Sequence, residues 1–127
     1  MTSKWNNATI LIVEDVVSNI MYYKSAFKHS GANILLATDG EQAVEMVKSN
    51  PNIDIILMDI HMPKMSGLEA STIIREISPK ISIIIQTAYV LLHTEAECIA
   101  AGADVFLEKP ISLSVLHDII NDLMKNK

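Results

Sequence analysis

Ile55-Ile56-Leu57-Met58-Asp59-Ile60-His61-Met62-Pro63 is the stretch on which the fold turns: four apolar residues close on a carboxylate, and a proline follows four positions later. A run that is apolar at every position does not alternate between core and solvent. It reads as a strand buried on both faces, the situation inside a parallel sheet. Outward from it, runs of the same kind occur at Thr9 to Val13, Asn33 to Ala37, Ile81 to Ile85 and Val105 to Leu107. Between them lie helical patterns. Val16, Ile20, Tyr23 and Phe27 recur at spacings of three and four with Gly31 as a stop, and Leu113, Leu116, Ile120 and Leu123 repeat the stripe. Ser66 with Glu69, Thr94 with Glu97 and, more weakly, Asp39 with Gln42 mark helix starts, while Gly40 and Gly102 mark turns. This alternation predicts an α/β fold: a five-stranded parallel sheet with right-handed crossovers and helices on both faces. No linker or repeat interrupts it, so residues 8–124 read as one body between polar tails at 1–7 and 125–127.

A chain of 127 residues suits one domain, since single cores run about 100–150 residues. Ten Lys and Arg against fifteen Asp and Glu leave a net charge of -5 and no basic stripe, which argues against direct nucleic-acid binding. Cys98 is the single cysteine, so no internal disulfide forms and a reducing compartment fits. The apolar run Ala8 to Val13 is far too short to span a bilayer and has no cleavage-site pattern. A cytoplasmic chain without membrane contact is the expectation.

Ligands of open parallel sheets bind beyond the carboxyl ends of the strands. There this chain places Glu14 and Asp15 after the first run, Asp59 after the third, Gln86 and Thr87 after the fourth, and Glu108, Lys109 and Pro110 after the fifth. If the first and third strands are neighbours, three carboxylates converge and repel one another. Either one takes up a proton or a hard cation neutralises them, and magnesium is the cation favoured. Lys109 and Thr87 supply a point charge and a hydroxyl donor for a phosphoryl group. Asp59, alone at the end of its strand, is the best nucleophile, because a carboxylate beside magnesium and lysine can attack phosphorus. Positioning and charge neutralisation then provide most of the acceleration.

These residues closely resemble the response-regulator receiver family over residues 8 to 124. Glu14-Asp15 matches the acidic pair, Met58-Asp59-Ile60-His61-Met62-Pro63 the phosphoacceptor motif, Thr87-Ala88 the hydroxyl step and Lys109-Pro110 the lysine step. The resemblance implies the flavodoxin-like strand order 2-1-3-4-5 with five helices. It implies that Asp15, Asp59 and the backbone carbonyl of His61 bind Mg2+ directly, with Glu14 acting through water. It makes Asp59 the acceptor of phosphate from a histidine kinase or histidine phosphotransfer domain. Lys109 would hold one phosphoryl oxygen, Thr87 would move to bond another, and Phe106 would turn inward behind Thr87 as the switch aromatic. It also implies a cis Lys109-Pro110 peptide. The Ile-Leu-Ile-Val-Glu-Asp opening with Asn19 and Trp5 looks most like the receiver of a hybrid sensor histidine kinase. A stand-alone regulator is the next reading, and a homodimer is compatible with it. Chemistry of the domain's own would be limited to phosphotransfer and dephosphorylation.

Other positions have plainer readings. Asp39 and Asp104 read as solvated turn residues, Met58, Met62 and Met65 as packing, and the histidines at 29, 61, 93 and 117 as surface or helix-cap residues without zinc spacing. His61 and Tyr89 sit where the family tunes phosphoryl hydrolysis, and Val90-Leu91-Leu92 is either a contact patch or core. An Asp-nucleophile phosphatase of the haloacid-dehalogenase type needs a second acid two residues after the first, where this chain has His61. A non-phosphorylated pseudo-receiver would lose an acid or the lysine, and this chain keeps all of them. Neither G-x-G-x-x-G nor G-x-x-x-x-G-K is present, which removes support for dinucleotide binders.

Overall fold

A computed structural model describes residues 5–88 and 95–125. Strands and helices alternate as β1 (Thr9–Val13), α1 (Val17–Ala26), β2 (Asn33–Ala37), α2 (Gly40–Ser49), β3 (Ile55–Asp59), α3 (Gly67–Ile77), β4 (Ser82–Thr87), α4 (Glu95–Ala100), β5 (Val105–Glu108) and α5 (Leu113–Lys125). All pairings are parallel and the order is β2-β1-β3-β4-β5, as the resemblance implies. The all-apolar runs sort by alternation onto two faces. Leu11, Val13, Ile56, Met58, Ile83 and Ile85 meet Val44 and Val47 of α2, Ala70 and Ile74 of α3 and Cys98 of α4. Ile10, Ile12, Ile55, Leu57 and Ile84 meet Tyr23 of α1, Phe27 at its C-cap, and Leu116 and Ile120 of α5. Both faces are therefore closed to water, which is why the central strands stay apolar until their last positions.

Two caps are as expected: the Asp39 side chain accepts from Gln42 N at 2.7 Å and Ser66 Oγ from Glu69 N at 3.2 Å. Gly102 adopts φ +113 just beyond α4, a left-handed conformation that favours glycine. Met58 is buried in the core, with Met62 and Met65 packed against it. The Thr94 cap, Tyr89, His93 and Val90-Leu91-Leu92 lie outside the described residues.

Several expectations are corrected. Trp5 does not belong to a tail: it is 4% exposed and its Nε1 donates to Asn121 Oδ1 of α5 at 2.7 Å. Its ring stands edge-on to His117 at 5.2 Å and tilted to Phe27 at 5.9 Å. An indole buries a large apolar area once its N–H finds a partner, and α5 supplies both. The packed body thus includes Trp5, and α5 runs to Lys125. His117 fills its expected capping role, with Nε2 3.2 Å from the carbonyl of Ala26, the last residue of α1. Val16 and Leu113, expected in apolar stripes, are exposed at 48% and 40% because they start their helices at the rim of the sheet, beyond the layer the stripes cover. Asp104 is a clamp instead of a solvated turn: its Oδ2 accepts from Ile83 N and Arg75 Nη2, each at 2.8 Å.

Candidate functional site

The site begins with the sheet register. Val13 pairs with Met58 and Asp59 with Gln86, so Glu14, Asp59 and Gln86 form a row across β1, β3 and β4. Alternation turns that row toward α1 and α5, in line with Ile12, Leu57 and Ile84 beneath it. One oxygen each from Glu14, Asp15 and Asp59 lies within 4.8 Å of the others. Glu14 is fully buried, Asp59 is 6% exposed and Asp15 is exposed. The convergence expected from the sequence is therefore present.

What holds these charges together is a set of donors arriving from loops. Glu14 Oε2 accepts from Val16 N at 3.2 Å and Asn19 Nδ2 at 3.4 Å, and Glu14 Oε1 accepts from Lys109 Nζ at 3.0 Å. Asp59 Oδ1 accepts from Ile60 N at 3.0 Å and lies 3.5 Å from Lys109 Nζ. Three carboxylates against one ammonium leave two formal negative charges, the charge of one divalent cation. Burial pushes the Asp59 carboxyl up to about 6; Lys109 opposes the shift and Glu14 adds to it. Asp59 is still largely ionised at neutral pH.

Asp59 is held from behind by glycine. The loop after β3 folds back so tightly that Gly67 N donates to Ile60 O at 2.8 Å. A Cβ on Gly67 would overlap the backbone carbonyl of Asp59. Only a glycine fits at the first position of α3.

A cavity of about 700 Å³ opens over the acids and is lined by Asp15, Asp59, His61 and Lys109 together with Val16, Tyr22, Tyr23 and Ile111. Lys109, the residue after β5, reaches it, and the Lys109-Pro110 peptide is cis, as implied by the resemblance. Thr87 and Phe106 are not among the residues that line this cavity. Thr87 is buried and continues the Ile83–Ile85 side of β4, and Phe106, paired with Ile85, packs against that same core. The Thr87 carbonyl accepts from Lys109 N at 2.9 Å, which ties the end of β4 to the site. His61 is exposed at the cavity mouth.

Sequence reasoning missed Gln86 and Tyr23 as a pair. Tyr23 Oη donates to Gln86 Oε1, both residues being buried. The available signal is a glutamine in register with the nucleophile; Tyr23 is hidden within an apolar stripe. Tyr22 was missed too: its Oη donates to Ile111 O at 2.7 Å and ties α1 to the loop before α5.

Comparison with known proteins bears directly on this geometry. The model of the response regulator receiver domain matches residues 10–121. The chain is 35% identical over 119 residues to a cyclic di-GMP phosphodiesterase of Thermotoga maritima, covering 94% of this chain and 32% of that protein. It is 36% identical over 120 residues to hybrid signal transduction histidine kinase I of Dictyostelium discoideum, covering 88% of this chain and 7% of the kinase. The chain thus spans a third or less of these relatives. Among solved structures, the receiver domain of sensor histidine kinase PA1611 from Pseudomonas aeruginosa PAO1, with magnesium coordinated in its active site cleft, superposes with a TM-score of 0.83 at 30% identity, covering 93% of this chain and 98% of that one. With a family model spanning residues 10–121 and relatives and solved structures of the same kind at 30% identity or more, the chain belongs to the response regulator receiver domains of two-component signalling.

Proposed function

We propose that this domain accepts a phosphoryl group on Asp59 from a histidine kinase or histidine phosphotransfer domain, within a phosphorelay of the hybrid-kinase kind. The observation that carries the reading is the acid row itself: three carboxylate oxygens within 4.8 Å of one another, with the Lys109 ammonium 3.0 Å from Glu14 and 3.5 Å from Asp59. The donor set is all oxygen and carries the right charge, so it fits Mg2+. Asp15, Asp59 and the His61 carbonyl would hold the ion directly and Glu14 through water. When bound, magnesium neutralises and orients phosphoryl oxygens.

The chain's own residues do the rest. A carboxylate oxygen of Asp59 attacks phosphorus in line, the P–N bond to the donor histidine breaks, and the imidazole nitrogen keeps the electron pair. Lys109 stays beside the transferred group as a point charge. No separate base is required, since Asp59 is already largely ionised at neutral pH. Val16, Val17, Met21 and Tyr22 of the first helix and its cap are exposed beside the cavity and give a partner helix an apolar surface to dock on. Thr87 moves toward the new phosphoryl oxygens, and Phe106 follows into the space behind it. Three acceptor oxygens that each gain about 1.5–3 kcal/mol supply about 4.5–9 kcal/mol, a range that brackets the roughly 5.5 kcal/mol that inverts a 1:99 population.

Among the described residues no helix is long and apolar enough to cross a membrane. The test is chemical. Wild type incubated with magnesium and acetyl phosphate gains one phosphoryl group by intact mass, and Asp59→Asn and chelator-treated wild type gain none. Equal labelling of wild type and Asp59→Asn removes the assignment.

A further inference from the structure

The row of side chains across the sheet continues past the acids. Gln86 is the in-register partner of Asp59, on a strand about 4.8 Å away, and projects to the same face. It is fully buried, and its Nε2 has no hydrogen-bond partner among the described residues. Its Oε1 accepts the hydroxyl proton of Tyr23, a residue that is itself buried and lines the cavity over Asp59. A buried amide with both donors unused is costly unless something uses them.

The chemistry of the pair supplies a use. Turning the Gln86 amide by half a rotation brings Nε2 to the phenol oxygen, so the amide donates and Tyr23 accepts. Each orientation keeps one hydrogen bond inside the pair. In the second, the phenol O–H is free to donate to an acceptor in the cavity. Burial first, then the negative charges of Glu14 and Asp59, hold the Tyr23 phenol above its ordinary range, so it remains a donor at any pH the domain meets.

We propose that Gln86 and Tyr23 are positioning residues for Asp59, forming a two-orientation amide–phenol pair that turns its donor toward the site when acceptor oxygens arrive there. The proposal rests on the phosphoacceptor reading above. An acidic site facing a row of neighbours rich in acceptors gains a neutral donor, which does not compete with the cation as a second lysine would.

The test combines rate and spectrum on the full chain. Tyr23→Phe and Gln86→Leu keep shape and remove the pair. Each should slow labelling of folded protein by acetyl phosphate about tenfold, the usual cost of losing a supporting partner. The double variant should be no slower than either single one, because one pair is lost in all three. In wild type the Gln86 side-chain amide signals, followed by nitrogen-15 NMR, should shift on adding beryllium fluoride with magnesium, whereas those of exposed Gln42 should not. Replacing Tyr23 with Phe should abolish that shift. Labelling within twofold of wild type in both variants, or stationary Gln86 signals, would overturn the pair while leaving Asp59 as acceptor. A wild type that takes no phosphoryl group would overturn the phosphoacceptor reading itself, and the pair with it.

Discussion

Both ends of the sheet carry carboxylates, and the two ends treat them in opposite ways. Where strands begin, Asp54 Oδ2 accepts from Thr9 N at 2.9 Å, and Asp104 Oδ2 accepts from Ile83 N and from Arg75. Where strands finish, Glu14, Asp15 and Asp59 face one another, and Lys109 offsets only part of their charge. The difference is one of charge balance. Where strands begin, each carboxylate is met by backbone N–H groups, and Asp104 by a guanidinium as well. Where they finish, Glu14 and Asp59 also accept from Val16 N and Ile60 N, but three carboxylates share one ammonium, and a cation is needed for the rest. Position in the sheet decides which acids are structural and which are chemical.

The contrast between the two ends is most vulnerable at Gly67. Gly67→Ala drives a methyl group into the backbone carbonyl of Asp59, which has no room to give, and is expected to cost about 3 kcal/mol in urea unfolding while displacing the nucleophile. Next is Arg75, which binds the carbonyls of Pro79, Ile81 and Gly102 as well as Asp104. Arg75→Ala is expected to lower stability by about 2–3 kcal/mol and to leave magnesium binding unchanged, since it acts only at the structural end.

At the other end, removing charge has the opposite sign. The Asp59 carboxyl titrates near 6 in the folded protein against an ordinary value of 3.8, so the native state holds a proton that the unfolded chain releases. Stability therefore falls as pH rises from about 4 to about 6 and stays reduced above that. Without magnesium, Asp59→Asn is expected to stabilise the domain by about 1–3 kcal/mol at pH 8 and by little at pH 4, as read from denaturation curves at both values. The smallest effect belongs to Asp54→Ala, which removes one accepted hydrogen bond and should cost about 1 kcal/mol in the same assay.

Much of this is legible in the sequence. The strands fall where all-apolar runs end, because burial on both faces writes itself into consecutive residues, and Glu14, Asp15, Asp59 and Lys109 stand out as the polar residues that break those runs. Contacts between residues remote in the chain leave no such trace. Trp5 sits among polar neighbours and reads as tail, yet its partner Asn121 is 116 residues away. Asp104 has the composition of a turn, and only the pairing of β4 with β5 sets it against Ile83 N. Gln86 and Tyr23 are 63 residues apart, and their hydrogen bond depends on how α1 crosses the sheet. Thr87 is visible as a strand-end hydroxyl, but its burial and the bond from Lys109 N to its carbonyl depend on how β4 and β5 pair.

The sharpest measurement is a titration of the free domain with magnesium chloride at pH 7.5, followed amide by amide by NMR. Saturable shifts are expected at Glu14, Asp15, Asp59 and Lys109, with none at Thr9, Asp54 or Ile83, and the response should be lost in Asp15→Asn. Shifts of equal size at both ends of the sheet, or a response that survives Asp15→Asn, would be incompatible with a cation held by the acids at the carboxyl end.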